Sequence, residues 1–309
     1  SLTPLVKARE GKVDRQFAEQ IMLPGFIDPH VHPALPAVLT QFPFLAPDDW
    51  SLPTGEFPGE TTPKGYRTRL TELAAQHNDP SVPFIVWGYH PLWHGKIWRQ
   101  ELNEWFGDQP VMLWHRSFHE LIGNDAAWKL LGVTQEDAPI EEGVDWERGH
   151  FYENGLKAVI PKLNFLFAPE RFGPGMFNFL AMLHQAGVTT ALDMGTGVYG
   201  NPTAEIAGVR AAADAYPVPT RLILTPIILD FLTREQSTTD ALAEIRHWQK
   251  DNDDRVSIGN HFKLMIDGAI FSGLAQMGPP GYLDGHKGVW MVPEPALRAY
   301  AEVFWQAGF

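Results

Sequence analysis

The chain has 309 residues, 44% hydrophobic and 20% charged, which is enough for one large domain with a sizeable core. Its 24 basic and 37 acidic residues give a formal charge of -13, which repels phosphate backbones and argues against general nucleic-acid binding. No run of about 18 apolar residues suggests a membrane span, and the absence of cysteine excludes disulfides, thiolate nucleophiles and zinc–thiolate sites.

Residues 1–20 are polar, with a turn at Glu10-Gly11-Lys12 and no secretory leader, so cytoplasm is the default compartment. The apolar run Ile21–Asp28 reads as a buried strand leading into Pro29-His30-Val31-His32-Pro33. Residues 41–175 change character. Proline is frequent there, and tryptophan is concentrated between Trp50 and Trp146. Short strands at Pro83–Trp87 and Pro110–Trp114 alternate with helices at Tyr66–Gln76 and Asn124–Leu131, which suggests an α/β insertion with its own small core.

Regular β–α alternation follows. Helices are expected at Phe177–Ala186, Ala204–Tyr216, Thr239–Lys250 and Pro295–Ala307, and strands at Val188–Met194, Thr220–Ile228 and His261–Asp267. Such spacing implies parallel strands and fits a TIM-type (β/α)8 barrel, with its chemistry at the C-terminal strand ends. About four barrel strands are evident. The expected domains are a barrel over 21–40 and 176–309, the insertion over 41–175, and a remnant of a small β-domain over 1–20.

Alternate residues of a strand share a face, so His30 and His32 can reach one ion at a barrel mouth. Imidazole suits zinc and related divalent metals, and Asp28 shares their parity as a potential orienting acceptor. The plainer reading is a surface loop with two histidines.

The stretch Leu23-Pro24-Gly25-Phe26-Ile27-Asp28-Pro29-His30-Val31-His32-Pro33 resembles the first-strand signature of the amidohydrolase superfamily. Three further stretches resemble its family 3 branch, which includes N-substituted formamide deformylase: His119–Trp128, Gly187–Gly195 and Phe262–Ala269. The resemblance implies a metal-dependent hydrolase of amide-type, non-peptide C–N bonds, acting by attack of a metal-bound hydroxide. It implies one or two divalent ions, with zinc expected, held by His30, His32 and Lys263. The aromatic-rich insertion suggests a small-molecule substrate with an apolar or aromatic substituent; a homodimer is left open. The family's later histidines and its general-base aspartate are expected beyond Phe309. The alternative is a catalytically incomplete fragment or binding module.

Lys263 lies in an apolar run. Phe262, Leu264 and Ile266 share the parity of the helix-facing side, while Lys263, Met265 and Asp267 share the interior parity. A buried ammonium needs a partner or a chemical change. The resemblance implies a carbamate; the alternative is a salt bridge to Asp267 or Asp193. His119 is implied to reach the substrate, or else is a core histidine capping the helix at Asn124. Asp193 and Asp267 are further substrate-side candidates, with core and cap roles open for Asp193. Gly195–Gly200 matches Gly-x-Gly-x-x-Gly, but the next strand ends without the acidic residue that a dinucleotide site requires.

Overall fold

The computed structural model describes residues 15–137 and 143–309. Most of the expected 1–20 segment therefore lies outside the described residues. The first strand starts later than the apolar run suggests, as β1 (Phe26–Val31), and leads into the short helix α1 (Ala34–Leu39). A hairpin of β2 (Trp50–Leu52) and β3 (Gly55–Phe57) follows.

Helix α2 (Pro63–Ala74) begins where Thr62 accepts a hydrogen bond from the Gly65 amide, with proline at its first position. Its buried stripe is Tyr66, Leu70 and Ala74, spaced by four. Then come β4 (Phe84–Tyr89), α3 (Pro91–His94), α4 (Arg99–Phe106), β5 (Val111–His115), β6 (Glu120–Gly123) and α5 (Asp125–Leu131). Two short strands, β7 (Val144–Asp145) and β8 (His150–Tyr152), complete a five-stranded mixed sheet in the order β4-β5-β6-β8-β7. Strands β4 and β5 are buried on both faces. Phe84, Val86, Val111 and Leu113 join one core, while Ile85, Trp87, Met112 and Trp114 join the other. That period-2 division puts a packed layer on each side of the sheet.

Asn124 links these layers. It is fully buried, caps α5 by accepting from the Ala127 amide at 2.9 Å, accepts from Val111 at 3.1 Å, and donates to the Gln109 carbonyl at 2.8 Å. Asn124→Ala removes the cap and orphans buried backbone groups. We expect a loss of about 2–3 kcal/mol, read as a lower urea midpoint with unchanged slope.

After α6 (Leu156–Val159), helix α7 (Pro169–Gln185) starts well before the expected Phe177, because Pro169 is compatible with a first turn and the helix continues through Pro174. Gly175 lets α7 approach α1: a Cβ there would lie 1.9 Å from the Ala37 carbonyl oxygen. The remaining elements are β9 (Val188–Thr196), α8 (Pro202–Ala215), β10 (Arg221–Pro226), α9 (Ile228–Thr233), α10 (Thr238–Trp248), β11 (Val256–Ile258) and α11 (Glu294–Gln306).

Strands β1, β9, β10 and β11 form a parallel sheet in that order. Ala191, Leu222, Leu224, Val256 and Ile258 pack with residues of α7, α8, α10 and α11, including Leu180, Val209, Ile245 and Phe304, in one core. The chain thus has a mixed α/β architecture with helices against a four-stranded parallel sheet; closure into a barrel is not seen among these strands. The fourth strand corrects the expected His261–Asp267 segment. It is Val256–Ile258, and the chain then turns through Gly259–Asn260 before Lys263 makes a single parallel bridge to Ile227. Phe262 and Leu264 still pack on the helical core and Met265 faces the other way, but Ile266 is exposed. Among the described residues no helix is long and apolar enough to cross a membrane.

Burial gives the fold an acid sensitivity. Desolvation lowers His94 to a pKa of about 4, although a hydrogen bond to the Glu60 carbonyl opposes it. Desolvation likewise lowers His115 to about 4, against the pull of Glu120. The unfolded chain therefore takes up protons near the ordinary value of 6.5 while the folded chain does not. Stability should fall as pH drops from 6.5 towards 4, by on the order of 2–3 kcal/mol for either group. Thermal melts over this window should show a drop that His94→Asn reduces.

Candidate functional site

Strand β1 carries His30 at its C-terminal end, and His32 follows just beyond it. The two rings lie edge to face, with centroids 5.3 Å apart. Asp28 accepts a hydrogen bond from the His30 amide at 3.1 Å, so it shapes the strand end. His32 Nδ1 lies 3.6 Å from Asp193 Oδ1. Asp193 itself is almost fully buried near the end of β9; its carboxylate accepts from the Gly195 amide at 2.9 Å and from the Thr196 hydroxyl. These bonds fix the carboxylate so that it faces the Nδ1 side of the imidazole. Gly195 makes room for that ring, since a Cβ there would come within 2.9 Å of His32 Nδ1.

Lys263 stands on the same side. Partial desolvation lowers the His30 pKa even though the residue is exposed, and the Lys263 and His32 charges lower it further. Among the described residues Lys263 makes no ion pair with Asp193 or Asp267. The structure therefore brings His30, His32, Asp193 and Lys263 together. It does not bring Asp267 there: that carboxylate accepts from the Gln276 amide at 2.7 Å, and its backbone bridges Trp290 in the loop after Lys263. The early end of the strand accounts for this, because alternation no longer aims residue 267. Among the described residues no group of three or more His, Asp or Glu side chains could hold a metal ion.

His119 lies elsewhere, on the wall of a cavity of about 200 Å3 between the insertion and the parallel sheet. The helix-cap alternative fails, since Asn124 caps α5 with its own side chain. Leu35, Trp114, Phe118, Ile160, Val198 and Met265 supply much of the apolar lining. Glu153 lines the cavity too and binds His119 Nδ1 at 2.7 Å. It escaped sequence reasoning because it is distant in the chain; the local signal was only a polar Tyr152-Glu153-Asn154-Gly155 turn.

A second cluster sits at the ends of β5, β6 and β8. Glu120 meets His150 Nε2 at 2.7 Å and His115 Nδ1 at 3.3 Å. Burial alone would raise the Glu120 carboxyl, but the His150 hydrogen bond and the imidazoles outweigh it and bring the value to about 2. Ser117 also approaches His115 through Nδ1, at 2.8 Å. Serine and glutamate thus share one ring nitrogen, which does not make a relay from Ser through His to an acid.

The glycine-rich turn is occupied internally. Glu205 accepts from the Gly197 amide at 3.0 Å, and Asn201 caps α8 by accepting from Ala204. Desolvation raises the Glu205 carboxyl well above its usual range, and the Asp193 charge raises it further. A pyrophosphate would have to displace this half-buried side chain from the Gly197 amide, which argues against a dinucleotide site.

Two solved structures share the fold. One is an uncharacterized metal-dependent hydrolase from Pyrococcus horikoshii OT3, with a TM-score of 0.62 at 18% identity over 99% of this chain and 56% of the other. The second is an uncharacterized metal-dependent hydrolase from Pyrococcus furiosus, with 0.59 at 16% identity over 99% of this chain and 57% of the other. This chain spans little more than half the length of either. No match was found among curated proteins. A model of the amidohydrolase family matches residues 18–309. With the paired histidines at the end of the first parallel strand, that match over nearly the whole sequence shows that the chain belongs to the amidohydrolase family.

Proposed function

We propose that the four parallel strands are the front half of a (β/α)8 barrel, and that the parent site hydrolyses an amide-type C–N bond with one or two divalent ions. The observation that carries this reading is the placement of His30, His32, Asp193 and Lys263 at one end of the sheet. The donor set fits an ion such as zinc. With Nδ1 facing the Asp193 carboxylate, His32 keeps Nε2 free, the carboxylate–histidine arrangement that orients metal ligands. His30 is held towards its neutral form, as a ligand must be. Lys263 would complete the set as an anionic carbamate. When bound, the ion supplies a polarising charge for the carbonyl and brings water to a pKa of about 7.

The chain's own residues do the rest. Asp193 holds His32. The apolar wall of the cavity takes a hydrophobic substituent of the substrate and keeps water from it. A small alkyl or aryl amide or formamide suits that space. The second reading, a binding module, is favoured by the lack of a three-residue His, Asp or Glu cluster among the described residues.

The two separate in a direct assay. Protein stripped by chelator and then reloaded with zinc is incubated with N-hexylacetamide and N-hexylformamide, and amine release is followed. Metal-dependent release is expected for at least one of them. Tight metal uptake with no release from either amide would favour the binding module.

A further inference from the structure

We propose that Glu153 is a positioning residue of the cavity: it holds His119 with its proton on Nδ1 and leaves Nε2 facing the cavity as an acceptor for a substrate N–H. The role rests on the reading of this cavity as an amide site.

An ionised carboxylate only accepts hydrogen bonds. The 2.7 Å contact between Glu153 Oε2 and His119 Nδ1 therefore places the ring proton on Nδ1. Neutral imidazole then has Nε2 as its acceptor. The Glu153 side chain is 3% exposed, whereas that of His119 is 29% exposed, so the pair runs from a buried anchor to an open tip. Among the described residues Nε2 has no hydrogen-bond partner.

The carboxylate cannot swing away. Its other oxygen, Oε1, accepts from the Ala269 amide at 2.8 Å, and the Glu153 amide donates to the His119 carbonyl at 2.9 Å. Its backbone sits at φ 47°, a conformation that non-glycine residues keep only where the surroundings enforce it. Ala269 follows Lys263 in the same connection, so Glu153 ties the insertion to the segment leading from the candidate metal centre. Leu35, Phe118 and Met265 give the cavity an apolar wall beside His119, and a secondary amide brings its N–H next to an apolar substituent.

The test uses Glu153→Gly, because glycine tolerates the left-handed backbone while the whole side chain, carboxylate included, is removed. NMR of ring-15N histidine, at a pH where imidazoles are neutral, reads the tautomer directly; His119→Gln identifies the signal. The wild type should show Nδ1–H, and Glu153→Gly should move most of the signal to Nε2–H, with added formate restoring the first form. A wild-type signal in the Nε2–H form overturns the proposal, even if the variant does not fold. So does a folded Glu153→Gly protein that keeps Nδ1–H. In kinetics, kcat/KM for N-hexylacetamide should fall about 10- to 100-fold in the variant. N-hexyl-N-methylacetamide lacks the N–H; measured as substrate or competitive inhibitor, it should change less than about twofold. Equal losses on both compounds overturn the acceptor role. If the wild type cleaves neither amide, the amide reading fails while the tautomer result still decides the role of Glu153.

Discussion

Replacing His30 and His32 together with alanine should abolish tight uptake of divalent metal and lower any amide hydrolysis by at least about 1,000-fold. A catalytic ion supplies both the activated water and several kcal/mol of charge stabilisation. Two lost imidazoles leave Lys263 without a companion donor of the right kind. The fold should survive, because His30 is exposed and the His32 side chain is 36% exposed. Melting temperatures of metal-free wild type and variant should therefore agree closely, whereas zinc should stabilise only the wild type. Asp193→Asn should behave differently. It keeps the shape but weakens the hold on His32 Nδ1, so metal affinity should drop about 10- to 100-fold. Metal content by elemental analysis checks both results. Equal metal in wild type and the double variant would remove His30 and His32 from the site.

Much of this architecture is legible in the sequence because local signals and packing agree. Phe84–Tyr89 and Val111–Trp114 are dominated by apolar residues and are buried on both faces, so their strand character needs no tertiary information. Helix α5 follows Asn124 as expected, whereas α2 starts at Pro63, before the expected Tyr66, because Thr62 caps it and proline suits its first position. The His30–His32 pair is legible, since two alternate side chains at a strand end share a face. Lys263 is partly so. Its neighbours Phe262 and Leu264 pack on the helical core as the parity implies, but its strand is not as expected, because the chain breaks at Gly259 and returns to the sheet for one bridge. Asp267 is misplaced by the same break. Glu153 was out of reach: its partner His119 is 34 positions away, and only the folded insertion brings them together. Asp193 sits between these extremes. Its strand is evident, but the choice between core and site depends on Gly195 leaving space for His32.

Lys263→Ala should bind less metal than the wild type, and a short carboxylic acid such as formate or acetate should partly restore it. Among the described residues this lysine makes no salt bridge. It bridges Ile227 through its backbone, it is half-buried, and among the described residues it has no ion pair with Asp193 or Asp267. The salt bridge that would give it a purely structural role is therefore not made. An ammonium beside His30 and His32 would also oppose a cation bound there. Reaction of the neutral amine with carbon dioxide forms an N–C bond, releases a proton and turns the group into an anion with two oxygens. Those oxygens can hold one ion or bridge two. Alanine removes the nitrogen and leaves room, so an added carboxylate can supply the missing oxygens. Lys263→Arg should lose metal equally and not be rescued, because guanidinium stays cationic and fills the space. Metal per folded molecule, measured with and without bicarbonate and with each acid, tells the cases apart. Full metal content in Lys263→Ala without added acid would exclude Lys263 from the centre. Metal loss in Lys263→Ala with no response to either acid or bicarbonate would leave it a place in the site but exclude the carbamate.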